Sequence, residues 1–251
     1  MFPLRDRLPS RTTPFVTWLL IAANVLAFLY ELAMVEAAGD RFIFAWGLVP
    51  ARFAADPAGE ALTVVTSMFL HGGWLHLGGN LLFLWIFGDN VEDRLGHSRY
   101  TAFYLLSGAA AAGAQILIDP GSPVPMVGAS GAIAGVLGGY VLLYPRARVL
   151  VVFPIFFFIQ FFELPAWVVI GEWFVLQLFN GALSLGPRSA SGGIAFFAHI
   201  GGFVAGLVMV KVLAPAGRAR PPSGPGGDTR WADQRYGPSR DRWSAPRRDA
   251  W

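Results

Sequence analysis

The sequence predicts an all-α polytopic membrane protein, a bundle of six transmembrane helices with both termini cytoplasmic. Three observations predict it. Hydrophobic residues make up 55% of the 251 and charged residues only 14%, where a soluble domain carries roughly a quarter; mean hydropathy is +0.51. The apolar residues come in runs of about twenty, the length a helix needs to cross the hydrocarbon of a bilayer. The charges gather between those runs and at the ends of the chain.

Residues 1–14 read as a polar, proline-containing cytoplasmic lead. Span 1 covers about 15–35 and is interrupted by Asn24 and Glu31, the latter near the outer interface. Arg5, Arg7 and Arg11 precede it as in a signal peptide, but the run is longer than a signal core, so it is retained as a span. Residues 36–65 form a mixed loop with Phe42, Phe44, Trp46 and Phe53, a composition suited to the interfacial zone. Span 2 covers about 66–87, contains His71, His76 and Asn80, and ends at Gly88 before a charged loop at 89–99 in which His97 is solvated. Span 3 covers about 100–118 and is broken by Asp119-Pro120-Gly121.

Span 4, about 128–144, is short. If it ends at the cytoplasmic face near Tyr144-Pro145-Arg146, it begins below the opposite surface. Ser130 then lies within the membrane thickness, beside a water-filled recess of the kind that tolerates non-helical backbone at that depth. Residues 149–163 are very apolar but interrupted by Pro154, and read as an interfacial or re-entrant piece. Span 5 runs from about 165 to 185, with Glu172 well inside it, Gln177 and Asn180 below, and no obvious basic group at matching depth. Span 6 runs from about 193 to 213, closing a membrane domain of residues 15–213. Residues 214–251 are Pro, Gly, Arg, Asp and Ser with isolated Trp. Such a composition cannot bury a core, so this segment reads as a disordered cytoplasmic tail.

Arginine chooses the orientation. Arg5, Arg7, Arg11, Arg94, Arg99, Arg146, Arg148, Arg218 and Arg220, with Lys211, fall on one side; Arg41, Arg52 and Arg188 fall on the other. The termini are therefore cytoplasmic and Ser130 opens outward. The arginine, alanine and glycine bias points to a multi-pass protein of a bacterial plasma membrane. Positive charge confined to loops and termini does not make a nucleic-acid surface. The absence of cysteine excludes disulfides and thiolate metal sites. No HExxH motif supports a zinc protease, and no pair of intramembrane aspartates supports an aspartyl one. No cofactor and no metal are expected.

Polar residues at bilayer depth cost a few kcal/mol and are functional candidates. Gly202 and Gly206 follow His199 at i+3 and i+7 and share its helical face. In span 4, Gly131, Gly135 and Gly139 form a row of small residues, and Ala134 and Gly138 follow Ser130 at i+4 and i+8. Small faces let helices approach closely, which makes a Ser130–His199 contact sterically possible. One reading is a nucleophile and its base; the other is glycine-driven packing, with each polar side chain bonded to backbone. His76 and Asn80, at i and i+4, share a face of span 2. As donors they suit an oxyanion, with the backbone N–H of Ser130 at a helix N-terminus as a third; the alternative is a polar contact between helices. His71 reads as structural.

His71-Gly-Gly-Trp-Leu-His76-Leu-Gly-Gly-Asn80, Gly128-Ala-Ser130-Gly131 and Ala198-His199-Ile-Gly-Gly202, in that order on spans 2, 4 and 6, resemble the rhomboid intramembrane serine proteases over residues 15–213. Residues 88–93 and Leu164-Pro165-Ala166-Trp167 are similar to bacterial members too. The resemblance implies a Ser130–His199 dyad with no third carboxylate. It implies oxyanion stabilisation by His76, Asn80 and the Ser130 N–H, and a site kept open by Gly128. Membrane-anchored protein substrates, cut in or near a transmembrane segment, would enter beside span 5. Two departures stand out: Ala61-Leu62-Thr63-Val64 occupies the region where many members have a Trp-Arg pair, and Ala134 replaces the family tyrosine four residues after the serine. The rival readings are a client-binding membrane protein of the same fold that does not cleave, and a transporter using Glu172 and the span 2 histidines.

Overall fold

The structure, a computed structural model, describes residues 1–155, 158–184 and 195–215. From residue 216 on, the expected tail lies outside the described residues. The described chain is mostly helical, with a small sheet. In chain order come β1 (Phe2–Asp6), α1 (Phe15–Ala38), α2 (Arg41–Trp46), α3 (Pro50–Ala55), α4 (Thr63–Thr66), α5 (Trp74–Leu95), α6 (His97–Ile118), α7 (Ser130–Leu143), β2 (Arg148–Ile155), β3 (Phe158–Pro165), α8 (Ala166–Ser184) and α9 (Phe196–Leu213). Among the described residues, four helices are long and apolar enough to cross a membrane: α1, α6, α8 and α9. α7 is apolar but has 14 residues. α5 has 22, with Asp89, Glu92, Asp93 and Arg94 near its end.

The charged segment after Gly88 is helical rather than a loop, and the reason lies in α1. Glu92 is fully buried. Its carboxylate accepts from the backbone N–H of Val16 and Thr17 at 2.9 and 2.8 Å and from the Thr17 hydroxyl at 2.7 Å. A carboxylate at a helix N-terminus satisfies orphan N–H groups and meets the positive end of the helix dipole. Asp93 accepts from the N–H and hydroxyl of Thr12 at 2.9 and 2.8 Å. His97 is not merely solvated: its Nδ1 lies 2.6 Å from Glu92 Oε1. With these charges consumed by neighbours, one residue suffices between α5 and α6. It is Gly96, at φ +80, backbone that side-chain-bearing residues rarely adopt.

The sheet corrects the all-α expectation and gives strand structure to part of the lead and to the run at 149–163. β2 and β3 form an antiparallel hairpin, with Val151 opposite Phe162, and β1 adds to the other edge of β2, with Phe2 opposite Val152 and Asp6 opposite Val149. Val149 and Val151 are buried. Asp6 ties the sheet to the helices, because the Asn90 amide donates to its carboxylate at 3.0 Å and the Tyr140 hydroxyl donates to the same oxygen.

The loop before α5 holds short helices and a clamp. Arg52 makes a bidentate pair with Glu60, Nε to Oε1 at 2.8 Å and Nη2 to Oε2 at 2.6 Å, and donates to the Phe44 carbonyl. Leu48 and Met126 exchange backbone hydrogen bonds at 3.1 and 2.7 Å, which joins this loop to the one before α7.

α7 is buried from Gly131 through Tyr140. Glycine makes this possible. A Cβ at Gly202 would collide with the Gly131 carbonyl, one at Gly206 with the Gly135 carbonyl, and one at Gly138 with the Phe203 carbonyl. α7 and α9 thus touch backbone to backbone, where an ordinary helix pair keeps side chains between.

Candidate active site

Ser130 is the first residue of α7 and His199 lies in the first turn of α9. The contact of Gly202, one turn after His199, on Gly131, the residue after Ser130, brings the two helix starts together. His199 Nε2 sits 2.8 Å from Ser130 Oγ. Before Ser130 the chain is held by Gly128, whose N–H donates to the Ser67 carbonyl at 2.9 Å and whose φ is +128. A Cβ there would lie 2.8 Å from His76 Nε2, so Gly128 is needed both for its backbone angle and for room.

His76 and Asn80 come from the first two turns of α5. The Gly72 N–H donates to His76 Nδ1 at 3.3 Å. In the neutral ring this leaves the hydrogen on Nε2, the nitrogen beside Gly128. The Asn80 Nδ2 is buried with no hydrogen-bond partner among the described residues. The Ser130 N–H, in the first turn of α7, has no acceptor within its helix. A cavity of about 560 Å³ is lined by His76, Asn80, Ser130 and His199, with Phe83 and Trp173 among its apolar walls. A hydroxyl held to an imidazole nitrogen, with donors lining one recess, suits nucleophilic acyl transfer. Among the described residues, no group of three or more His, Asp or Glu is placed to hold a metal ion.

Two neighbours of His199 escape the motif reading. Gln177 Oε1 lies 2.8 Å from His199 Nδ1. The Trp173 ring lies 5.8 Å from the imidazole, centroid to centroid, at 44°. Both belong to α8, so the aromatic neighbour comes from there and not from α7, where Ala134 is fully buried. Gln177 stands out in the sequence only as a polar residue in an apolar run; its place four residues after a tryptophan, on one helical face, was the available signal.

The remaining candidates go elsewhere. The His71 N–H donates to Glu31 at 2.8 Å, and its buried ring meets His76 edge-on at 5.2 Å. Glu172 does have a basic neighbour, contrary to expectation: its carboxylate lies 3.7 Å from the amine of Met1, which strand pairing of β1 carries there.

Residues 58–216 match the family model of the rhomboid domain. The Rhomboid protein 1, mitochondrial, of Saccharomyces cerevisiae is 29% identical over 158 residues, 61% of this chain and 42% of that protein. The Rhomboid protease GluP of Bacillus subtilis is 35% identical over 131 residues, covering 52% and 24%. The Rhomboid protease GlpG of Salmonella newport is 27% identical over 224 residues, covering 84% and 67%. The chain thus spans less than half the length of the first two.

Proposed function

The chain belongs to the rhomboid family, and on that premise we propose that it is an intramembrane serine endopeptidase. Its substrates are membrane-anchored proteins, cleaved in or near a transmembrane segment. The observation that carries the reading is the 2.8 Å contact between Ser130 Oγ and His199 Nε2. A serine hydroxyl is a poor nucleophile until a base takes its proton. His199 accepts that proton as Ser130 attacks the scissile carbonyl. The negative oxygen that develops is met by donors from His76, Asn80 and the Ser130 N–H, fixed in place before reaction. His199 then protonates the leaving amine, and water entering by the recess hydrolyses the acyl-enzyme. A substrate helix must unwind to present its carbonyl, which favours small or helix-weakening residues at the cut.

The same reading takes six crossings over residues 15–213 with both termini cytoplasmic, supported by the arginine distribution. The single lysine among 19 basic residues and the 30 glycines support a bacterial plasma membrane as the location.

The test is labelling of the detergent-solubilised full chain by a fluorophosphonate probe, beside an active rhomboid protease. Wild type is expected to label, with signal falling to background in Ser130→Ala and His199→Ala. Folded wild type that stays unlabelled while the reference labels would sink the protease reading and favour the client-binding one.

A further inference from the structure

We propose that Gln177 is a positioning residue that makes His199 a base toward Ser130, so that Ser130, His199 and Gln177 form one hydrogen-bonded line with a neutral third member that holds the ring and takes no proton. This rests on the reading of Ser130 and His199 as nucleophile and base.

The geometry fixes a direction of hydrogen bonding. A neutral imidazole carries its hydrogen on one nitrogen and a lone pair on the other. Only the form with hydrogen on Nδ1 leaves Nε2 free to accept from Ser130 Oγ. The group facing Nδ1 therefore decides which form is favoured. That group is the Gln177 amide, with Oε1 at 2.8 Å. Its other end, Nε2, faces the Trp173 carbonyl, one turn back on α8, at 3.5 Å, the outer reach of a hydrogen bond. The carbonyl there can only accept, so it favours the amide orientation that turns the NH₂ away from the histidine. Turned over, the amide would donate to Nδ1 and push the hydrogen onto Nε2, leaving no acceptor for the serine proton. The amide thus does for the ring what a buried carboxylate does in three-membered sites, without placing a charge beside it. It holds the ring in one plane while Trp173 covers it, 5.8 Å away.

Two measurements on the full chain in lipid vesicles test this, one dependent on reactivity and one not. The first is the second-order rate of Ser130 labelling by a fluorophosphonate. Removing the acceptor in Gln177→Leu is expected to slow labelling about ten- to a hundredfold, part of the roughly 10²–10⁴ that positioned proton transfer contributes. Gln177→Glu keeps an acceptor oxygen at the same reach and is expected to stay within about threefold of wild type. Thermal unfolding, followed alongside, is expected to move little in either. Equal rates in wild type and Gln177→Leu would overturn the proposal, as would equal loss in both variants. The second is ¹⁵N NMR of histidine-labelled protein, assigned with His199→Ala, which reports the tautomer whether or not Ser130 reacts. Wild type is expected to show His199 with hydrogen on Nδ1, and Gln177→Leu a mixture. Hydrogen on Nε2 in wild type overturns the proposal. If Gln177→Leu does not fold, Gln177→Glu and the wild-type spectrum still decide. Unlabelled wild type with the Nδ1 form intact would remove the protease reading, and with it the role of Gln177 in a reaction, while the hold of Gln177 on the tautomer would stand.

Discussion

Two helices reach His199, and they are built on opposite plans. α7, with Ser130 at its start, is buried from Gly131 to Tyr140 and meets α9 through glycines that leave no room for a methyl group. α8, with Gln177 and Trp173, buries only Ala166, Val169, Ile170 and Gly181 among its 19 residues. Val175, Phe179 and Leu183 stand about 60% exposed on it. The distance between hydroxyl and imidazole is therefore set by backbone contact, which has no rotamers to change. The orientation of the imidazole is set by two side chains on a helix with far fewer buried residues. Placement and aiming are separate tasks here, carried by elements of different rigidity.

Three substitutions probe this contrast, in falling order of effect. Gly202→Leu drives a branched side chain into the Gly131 carbonyl. Overpacking costs about 1–3 kcal/mol where neighbours yield, and here the neighbour is backbone on a buried helix, so the cost is expected at or above the top of that range. A steep fall in the thermal midpoint in detergent, with loss of Ser130 labelling, is the expected result; an unchanged midpoint would show that α7 and α9 can part. Gly128→Ala acts locally, forcing an alanine to φ +128 and displacing His76. Labelling is expected to fall by about 10²–10³, the usual cost of one lost oxyanion donor, with a much smaller drop in midpoint. Labelling at the wild-type rate would remove His76 from the site. Val175→Ala, on the outward face of α8, is expected to shift stability by less than about 0.5 kcal/mol. A shift as large as that of Gly202→Leu would erase the distinction between the two helices.

Much of the site could be read from the sequence, because its spacing is helical. His76 and Asn80 are one turn apart, and Gly202 and Gly206 recur on the face of His199, so their shared faces follow from periodicity alone. Gln177 was not legible as a partner of His199, since no local spacing relates positions on two helices whose packing is unknown. The charged run at 89–95 reads as loop by composition. It is helix because its acids serve α1 across some seventy-five residues. The sheet was hidden for the same reason. The apolar run at 149–163 has no alternation to mark it as strand, and its second partner, Phe2–Asp6, lies at the opposite end of the described chain.

That long reach has a consequence in time. β2 pairs with residues made well over a hundred positions earlier, and the Asp6 contacts to Asn90 and Tyr140 bridge 84 and 134 positions. The loop this pairing closes is among the longest in the fold, and closing long loops is entropically slow. Phe2–Asp6 has no strand to pair with until Val149–Val152 have been made, by which point α1, α5, α6 and α7 have all been made. Phe2–Asp6 thus waits for four of the helices to be made before its partner strand exists.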